Sequence, residues 1–283
     1  MLSLEHVASY RSTTYRTPLD LRVKTKEEAL DHVNARGFLM FWPIKGIEMP
    51  SLWAAVAGDR PVASEHDDPG NVTWGWKDSL LGSRWWYYAK VLRRKATFIS
   101  LDVVPAFYAL SENFGSPEED YLYQYRDGAM TAEAKVIYEA LLQEGSLHTI
   151  ALRRVTSMSD TASSYRFNRG LEELQADFKI MPVGVAEAGT WNYAFIYECV
   201  HRHHPELLEQ ARAFTMSGAQ QRLLTLYMRS VGAVALGDIV KVFGWPKREI
   251  EKTIDVLVAG GDLVRGLEIE GQKGEWLALA ELL

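Results

Sequence analysis

The sequence predicts an α+β protein in which a mixed N-terminal region precedes two copies of one small unit. Each copy has apolar residues first at helical spacing and then in two strand-like runs around a glycine-containing turn. The copies lie about 80 to 90 residues apart, as the pairs Gly145/Gly232 and Trp191/Trp276 indicate. Three helices followed by a β-hairpin form a winged helix, so the predicted fold is tandem winged-helix domains (helix-turn-helix plus β-hairpin) behind a mixed α/β region.

The first predicted winged-helix domain spans residues 126–212. Thr131 is placed to cap its first helix and Gly145 to end it, because threonine accepts hydrogen bonds from orphan helix amides and glycine tolerates the left-handed cap. Residues 147–155 are predicted as the second helix, and Ser163 or Ser164 starts the third. Two strands around the turn at 187–189 complete the domain.

The second predicted domain spans residues 213–283. Ser217 is predicted to cap its first helix, and residues 236–244 form the second. Gly244 ends that helix and Pro246 starts the third, an order that suits a helix-turn-helix. Two strands are expected on either side of the turn at 271–274.

Residues 1–125 are predicted as a mixed α+β region with aromatic and basic strands, preceded by an arm or short helix. Thr25 and Glu28 form a capping box for a helix that Gly37 ends. Residues 38–44 suit a buried strand, and a helix runs from Pro50 to Gly58. Residues 59–71 are loop by composition. Residues 84–95 and 96–104 have the aromatic and β-branched content of strands, and Pro105 starts a short helix.

Composition narrows the function classes. Apolar residues make up 47% of the chain and the net charge is −6, which argues against a protein that coats nucleic acid non-specifically. No apolar run approaches the roughly 20 residues that span a bilayer. We therefore expect a cytoplasmic location and no membrane as a partner. The single cysteine, Cys199, lies in a strand-like run and is expected to be an inert core residue.

A basic and aromatic segment makes nucleic acid the first partner to test. Residues 84–95 carry five basic residues and no acidic ones, interleaved with aromatic rings, which suits phosphate neutralisation and base stacking. The alternative is a core strand with a basic outer end. The predicted contacts here are Arg84, Lys90, Arg93, Arg94 and Lys95.

The third helix of each winged helix supplies further candidates, because that helix normally enters the major groove. The first copy offers Arg166, Asn168 and Arg169, and the second offers Lys247 and Arg248. Acidic residues interleave with the cations of the second copy, so a solvated face with local ion pairs is the alternative. No metal and no cofactor are predicted. Glu65, His66, Asp67 and Asp68 are adjacent loop residues, which rarely converge on one ion.

The segment from Gly37 to Ile44 and the repeated helix–hairpin pattern resemble the AlkZ/YcaQ family of winged-helix DNA glycosylases, on the side of its divergent AlkZ-related members. The resemblance implies removal of alkylated bases without metal, through a Gln-x-Gln or Gln-x-Asp motif that orients water. Here Met40 falls on the first polar position and Trp42 on the second. Neither side chain can act as a general base, so the resemblance implies DNA binding better than catalysis.

Three hypotheses follow. The first is a DNA-binding protein linked to DNA repair that lacks the usual catalytic pair, with duplex or damaged DNA as partner. The second is an active, metal-independent DNA glycosylase with rearranged groups, such as the carboxylate of Glu48. The third is a protein-interaction or regulatory module. The tryptophans predicted as base-stacking candidates are Trp42, Trp74 and Trp76.

Overall fold

The fold consists of helices and small antiparallel sheets. The computed structural model describes residues 2–62, 68–113, 115–189, 191–269, 272 and 274–283. Within those ranges the strands form three sheets of three strands, and each sheet has the strand order first, third, second. The α+β class is therefore confirmed.

One succession of elements occurs three times along the chain: helix, short strand, two helices, two strands. The sequence predicts it twice, and the structure has it also in the N-terminal region. The first unit contains α2 (Lys26–Arg36), β1 (Phe38–Met40), α3 (Leu52–Ala57), α4 (Asp68–Leu80), β2 (Tyr87–Lys90) and β3 (Ala96–Ile99).

The two later units follow the same plan. The second unit contains α7 (Ala132–Glu144), β4 (Leu147–His148), α8 (Thr149–Val155), α9 (Ser164–Ala176), β5 (Ile180–Ala186) and β6 (Ala194–Cys199). The third unit contains α12 (Met216–Val231), β7 (Ala233–Ala235), α13 (Leu236–Phe243), α14 (Lys247–Ala259), β8 (Leu263–Leu267) and β9 (Trp276–Leu279).

The remaining helices connect these units. Helix α1 precedes the first unit and packs on α12, where the Tyr10 hydroxyl donates to the Arg229 carbonyl at 2.9 Å. The others lie between the units. The connecting helices are α1 (Leu4–Thr14), α5 (Val104–Tyr108), α6 (Asp120–Arg126), α10 (Val200–His203) and α11 (Leu207–Ala211).

The first helix of every unit begins at a threonine and ends at a glycine. The side chains of Thr25, Thr131 and Thr215 each accept a hydrogen bond from the amide three residues on. Thr215 therefore caps α12, and the predicted cap Ser217 lies inside that helix. The terminal glycines turn the chain into the short first strand with φ values of 78°, 78° and 74°; they are Gly37, Gly145 and Gly232.

Two predicted boundaries in the N-terminal region are wrong. Helix α4 begins at Asp68, so the loop predicted over 59–71 is shorter; Glu65, His66 and Asp67 lie outside the described residues. The strand predicted over 84–95 pairs only at Tyr87–Lys90, because Arg93 and Arg94 adopt left-handed φ values of 56° and 55° that a strand cannot hold.

Three further elements also differ from expectation. Strand β3 ends at Ile99, since the chain turns where the Val103 amide donates to the Ser100 carbonyl. The second helix of the second unit starts at Thr149, because Leu147 and His148 pair with β6 instead. The strand predicted over 38–44 ends at Met40. Of the turn predicted at 271–274, residues 271 and 273 lie outside the described residues.

Both faces of the first sheet are buried. For residues 84–95 the sequence predicts nucleic-acid contacts, with a core strand as the alternative. Alternate residues of the segment 86–89 enter two different hydrophobic clusters. Tyr87 stacks on Phe178 just after the end of α9, with ring centroids 5.2 Å apart, whereas Trp86 and Tyr88 face the helices of their own unit. A separate cluster fills the second unit. The domain boundaries at 125/126 and 212/213 stay predictions.

Cys199 is fully buried within the cluster of the second unit, and burial raises the pKa of its thiol to about 12. This agrees with an inert core residue. In the parts of the chain that the structure describes, no helix is long and apolar enough to cross a membrane.

Three glycine-to-alanine variants separate backbone strain from steric clash. Gly145→Ala is expected to lower the free energy of unfolding by roughly 1–2 kcal/mol, because its φ is 78° but the added Cβ meets nothing within 4 Å. Gly232→Ala should lower the free energy of unfolding by about 1–3 kcal/mol more than Gly145→Ala does, because the added Cβ would lie 2.6 Å from the Tyr10 ring.

Gly237→Ala is the matched control, because Gly237 lies inside α13 with open space around it. It should raise the free energy of unfolding by about 0.5–1 kcal/mol. Urea unfolding of the three variants measures all three values. Equal losses at Gly145 and Gly232 would contradict the packing of α1 against the third unit.

Candidate nucleic-acid interface and adjoining cavities

The chain segment between β2 and β3 carries three consecutive cations, Arg93, Arg94 and Lys95, which we call the basic loop. A short 3-10 turn at Leu92–Arg94 and the left-handed conformations of both arginines lift it out of the sheet. All three side chains are exposed. Among the described residues none of the three forms an ion pair or a side-chain hydrogen bond, so each is available to an external anion.

The basic loop lies beside the end of helix α9. The Lys90 ammonium pairs with Glu172 at 2.8 Å, and the Lys90 amide donates to the Gln175 side chain at 3.2 Å. These contacts fix α9 against β2. Lys90, predicted as a nucleic-acid contact, is therefore engaged within the protein, whereas its neighbours in the basic loop are not.

The exposed face of α9 holds the remaining candidates of the second unit. Arg166 pairs with Glu133 at 3.3 Å, and the Asn168 side chain accepts from Arg153 at 3.0 Å. Arg169 is exposed and, within the described ranges, has no ion-pair partner. At 1.5 Å per residue, Arg169 lies roughly 10 Å along the helix axis from its C-terminal end at Ala176.

Helix α14 carries a mixture of charges. Lys247 is 3.6 Å from Glu251, and Lys252 is 3.4 Å from Glu249. Arg248 is exposed and has no ion pair in the part of the chain that is described. Arg84 lies elsewhere and pairs with Glu206, next to α11.

The predicted nucleic-acid residues thus divide into two groups. Arg84, Lys90, Arg166, Asn168 and Lys247 have partners within the chain. The cations left without a carboxylate partner among the described residues are Arg93, Arg94, Lys95, Arg169 and Arg248. Unpaired cations on an exposed loop and on two third helices can neutralise phosphates without breaking existing ion pairs.

The two motif positions serve the core. Met40 is fully buried in β1. Trp42 is half-buried and packs edge-on against Phe41, with ring centroids 4.8 Å apart, and against Trp53 at 6.3 Å. Neither side chain has a group that could act as a general base.

Glu48 lines a cavity of about 540 Å³ between α1 and the chain that follows β1. Its carboxylate pairs with Arg11, which also donates to the carbonyls of Val231 and Ala233 at 3.0 and 2.6 Å. The Tyr15 hydroxyl also borders this cavity, is buried and has no hydrogen-bond partner among the described residues. Burial raises the pKa of Tyr15, so the hydroxyl stays protonated.

A buried lysine, Lys77, was not singled out by the sequence. It pairs with Asp78 at 2.7 Å and donates to the Tyr193 hydroxyl at 3.0 Å. Aromatic rings surround its ammonium, the nearest being Trp74 at 4.1 Å and Phe195 at 4.5 Å. Burial lowers the pKa of Lys77 to about 8. The contact joins α4 to the β5–β6 hairpin. One face of the Trp74 ring is covered by the Lys77 ammonium.

Trp76 is half-buried and packs against the same hydrophobic cluster of the first unit as Trp74. All three tryptophans predicted to stack on bases, Trp42, Trp74 and Trp76, therefore already pack against this cluster.

A second cavity, of about 360 Å³, lies where the basic loop meets α9 and the α13–α14 turn. We call it the junction cavity. It is lined by Arg93, the end of α5, Asp177 and the Phe243–Trp245 pair, so all three units contribute. These residues lie far apart in the chain, and no local pattern marks them.

Within the described ranges, no group of three or more His, Cys, Asp or Glu side chains could hold a metal ion.

Comparison with known proteins agrees with this architecture. Over 99% of its length the chain superimposes on 70% of the solved chain of the Streptomyces sahachiroi DNA glycosylase AlkZ, with a TM-score of 0.56 and 12% sequence identity, a likeness of fold. No curated protein sequence matches the chain. A family model described as "AlkZ related" matches residues 23–244, more than half of the 283 residues. The chain belongs to the AlkZ-related family.

Proposed function

We propose that this protein binds duplex DNA in a DNA-repair context and lacks the Gln-x-Gln/Asp catalytic pair. The observation that carries the proposal is the set of exposed cations without ion pairs on the basic loop and on helices α9 and α14. Among the described residues none of these cations forms an ion pair, so phosphate binding need not break one. The fold likeness to a DNA glycosylase supports the same assignment.

We also propose that the second and third units are winged-helix domains at 126–212 and 213–283, behind a mixed α+β region at 1–125. The support is the shared element order and the shared strand order first–third–second. In this arrangement α9 and α14 are the third helices, which normally contact the major groove. The unpaired Arg169 and Arg248 lie on those helices.

Loss of the catalytic pair is supported by Met40 and Trp42. A fully buried methionine and a packed tryptophan offer no group that could activate water. Retaining the fold while replacing both polar positions suits a protein that recognises DNA without the usual excision chemistry.

An active, metal-independent DNA glycosylase is the second candidate, favoured by the position of Glu48 in a cavity next to the motif segment. Its carboxylate pairs with Arg11 at the border of that cavity, which holds the side chain in place. Incubation with duplexes carrying alkylated bases tests this: base release that Glu48→Gln abolishes would establish it, and no release from any lesion would remove it.

A protein-interaction module is the third candidate, favoured by the ion-paired face of α14. Arg265 of β8 extends that network, with Asp255 at 2.5 Å and Glu275 at 2.9 Å. A salt titration of DNA binding separates this candidate from the first, because phosphate contacts require affinity to fall steeply with salt.

Arg93→Ala combined with Arg94→Ala is expected to weaken DNA binding for all sequences about equally. Losing two phosphate contacts should shallow the slope of log affinity against log salt by about 2. Fluorescence anisotropy with labelled duplexes at several salt concentrations measures both effects.

Arg212→Ala with Arg222→Ala is the matched control, since it removes the same charge from arginines already paired with Glu209 and Asp102. The control should retain the salt slope of the unmodified protein. An unchanged slope in the basic-loop variant would take that loop out of the interface.

Trp42→Ala distinguishes packing from base stacking. We expect it to lower the free energy of unfolding by about 3 kcal/mol, because Trp42 packs on Phe41 and Trp53. Trp191→Ala is the control, because Trp191 is 89% exposed and its loss should change stability by less than about 0.5 kcal/mol. Unchanged stability with weakened DNA binding would instead assign Trp42 to the interface.

A further inference from the structure

Apart from Arg93, the residues that line the junction cavity lie outside the set of cations proposed to contact DNA. Its volume of about 360 Å³ lies within the range of about 300–1,000 Å³ typical of small-molecule sites. Arg93 of the basic loop lines it, so the cavity opens beside the cations assigned to phosphates. The opposite wall is the α13–α14 turn.

Aromatic rings form much of its lining. Phe243 and Trp245 stack with ring centroids 4.2 Å apart and an interplanar angle of 21°. Phe107 and Phe178 stack at 6.2 Å on another side. Trp245 is half-buried, so part of its ring is open to a planar ligand. Such rings suit the π-face of any nucleobase.

A carboxylate completes the lining. The Asp177 side chain forms no hydrogen bond or ion pair with any described residue, although its backbone carbonyl accepts from Asn113 at 2.7 Å. Burial raises the pKa of Asp177 to about 6; Lys179 and Arg94 oppose that rise, while Glu173 and Glu112 add to it. An unpartnered carboxylate between aromatic walls can accept from the ring and exocyclic N–H groups of a base.

We propose that the junction cavity receives one nucleobase extruded from the DNA that the basic loop holds. The base stacks on Trp245, its N–H edge donates to Asp177, and Arg93 contacts an adjoining phosphate. This inference rests on the proposed DNA binding. It adds a base-recognition site that is separate from the motif positions Met40 and Trp42.

The surroundings favour a base that is still attached to a strand over a free nucleotide. Arg94 and Lys95 follow Arg93 directly in the chain and are exposed, so they can hold further phosphates of a strand beside the cavity rim. The sequence has no glycine-rich loop to hold the phosphates of a free nucleotide.

The test compares the affinities of three duplexes for the full chain. One is fully paired, one carries a single unpaired adenine, and one carries an abasic nucleotide at the same bulge. An unpaired base costs least to extrude, so the adenine bulge should bind about tenfold more tightly than the paired duplex. The abasic bulge has the same bend and phosphates without a base, and it should show no such preference.

Asp177→Leu and Trp245→Leu should abolish the preference for the adenine bulge and leave affinity for the paired duplex within about twofold. Asp177→Leu keeps a similar size and removes both acceptor oxygens, so it tests the site even where Trp245→Leu lowers stability. Asp127→Leu, at an exposed aspartate, is the matched control and should keep the preference.

Each other outcome overturns a different statement. Salt-dependent binding without a preference for the adenine bulge, or a preference that both variants keep, removes the cavity from recognition while leaving the proposed function intact. No salt-dependent binding to any duplex removes the proposed function and this inference with it. Competition by deoxyadenosine monophosphate alone at similar concentration would make the cavity a free-nucleotide site.

Discussion

The structure depends on the burial of both faces of the first sheet. On one face, Phe38 packs edge-on against Phe107 at 5.2 Å and Phe243 at 6.2 Å, which ties the N-terminal unit to the third unit. On the other, Trp86 packs against Phe98 at 4.8 Å, within the unit itself. A one-residue slip would move every side chain to the opposite face and disrupt the packing on both, so this burial fixes the register of the sheet.

That arrangement explains where the exposed cations lie. The chain that leaves the buried strand β2 must turn sharply before β3, and the left-handed Arg93 and Arg94 make that turn. Since the adjacent elements are α9 and the α13–α14 turn, the basic loop borders both later units. Although the net charge of the chain is −6, three consecutive cations are exposed on this loop and form no ion pair among the described residues.

Tryptophans of the N-terminal region that the sequence suggested for base stacking pack within the protein instead. Trp42 and Trp74 both contact Phe41, and Trp74 also covers the ammonium of Lys77. A buried ammonium needs compensation, which Asp78 and the surrounding rings provide. At the junction cavity, the half-buried Trp245 stacks on Phe243 and keeps part of its ring accessible.

The sequence by itself determined the locally encoded features: threonine caps, glycine helix ends, most helices of the two later units, and the likeness to the family. It did not reveal the first copy of the repeated unit, because β1 is three residues long and α4 begins in a stretch with the composition of a loop. Only the tertiary structure decided which cations are paired. It also brought Arg93, Asp177 and Trp245 together around one cavity. Pairing and cavities join residues far apart in the chain, and helical or strand periodicity reports only near neighbours.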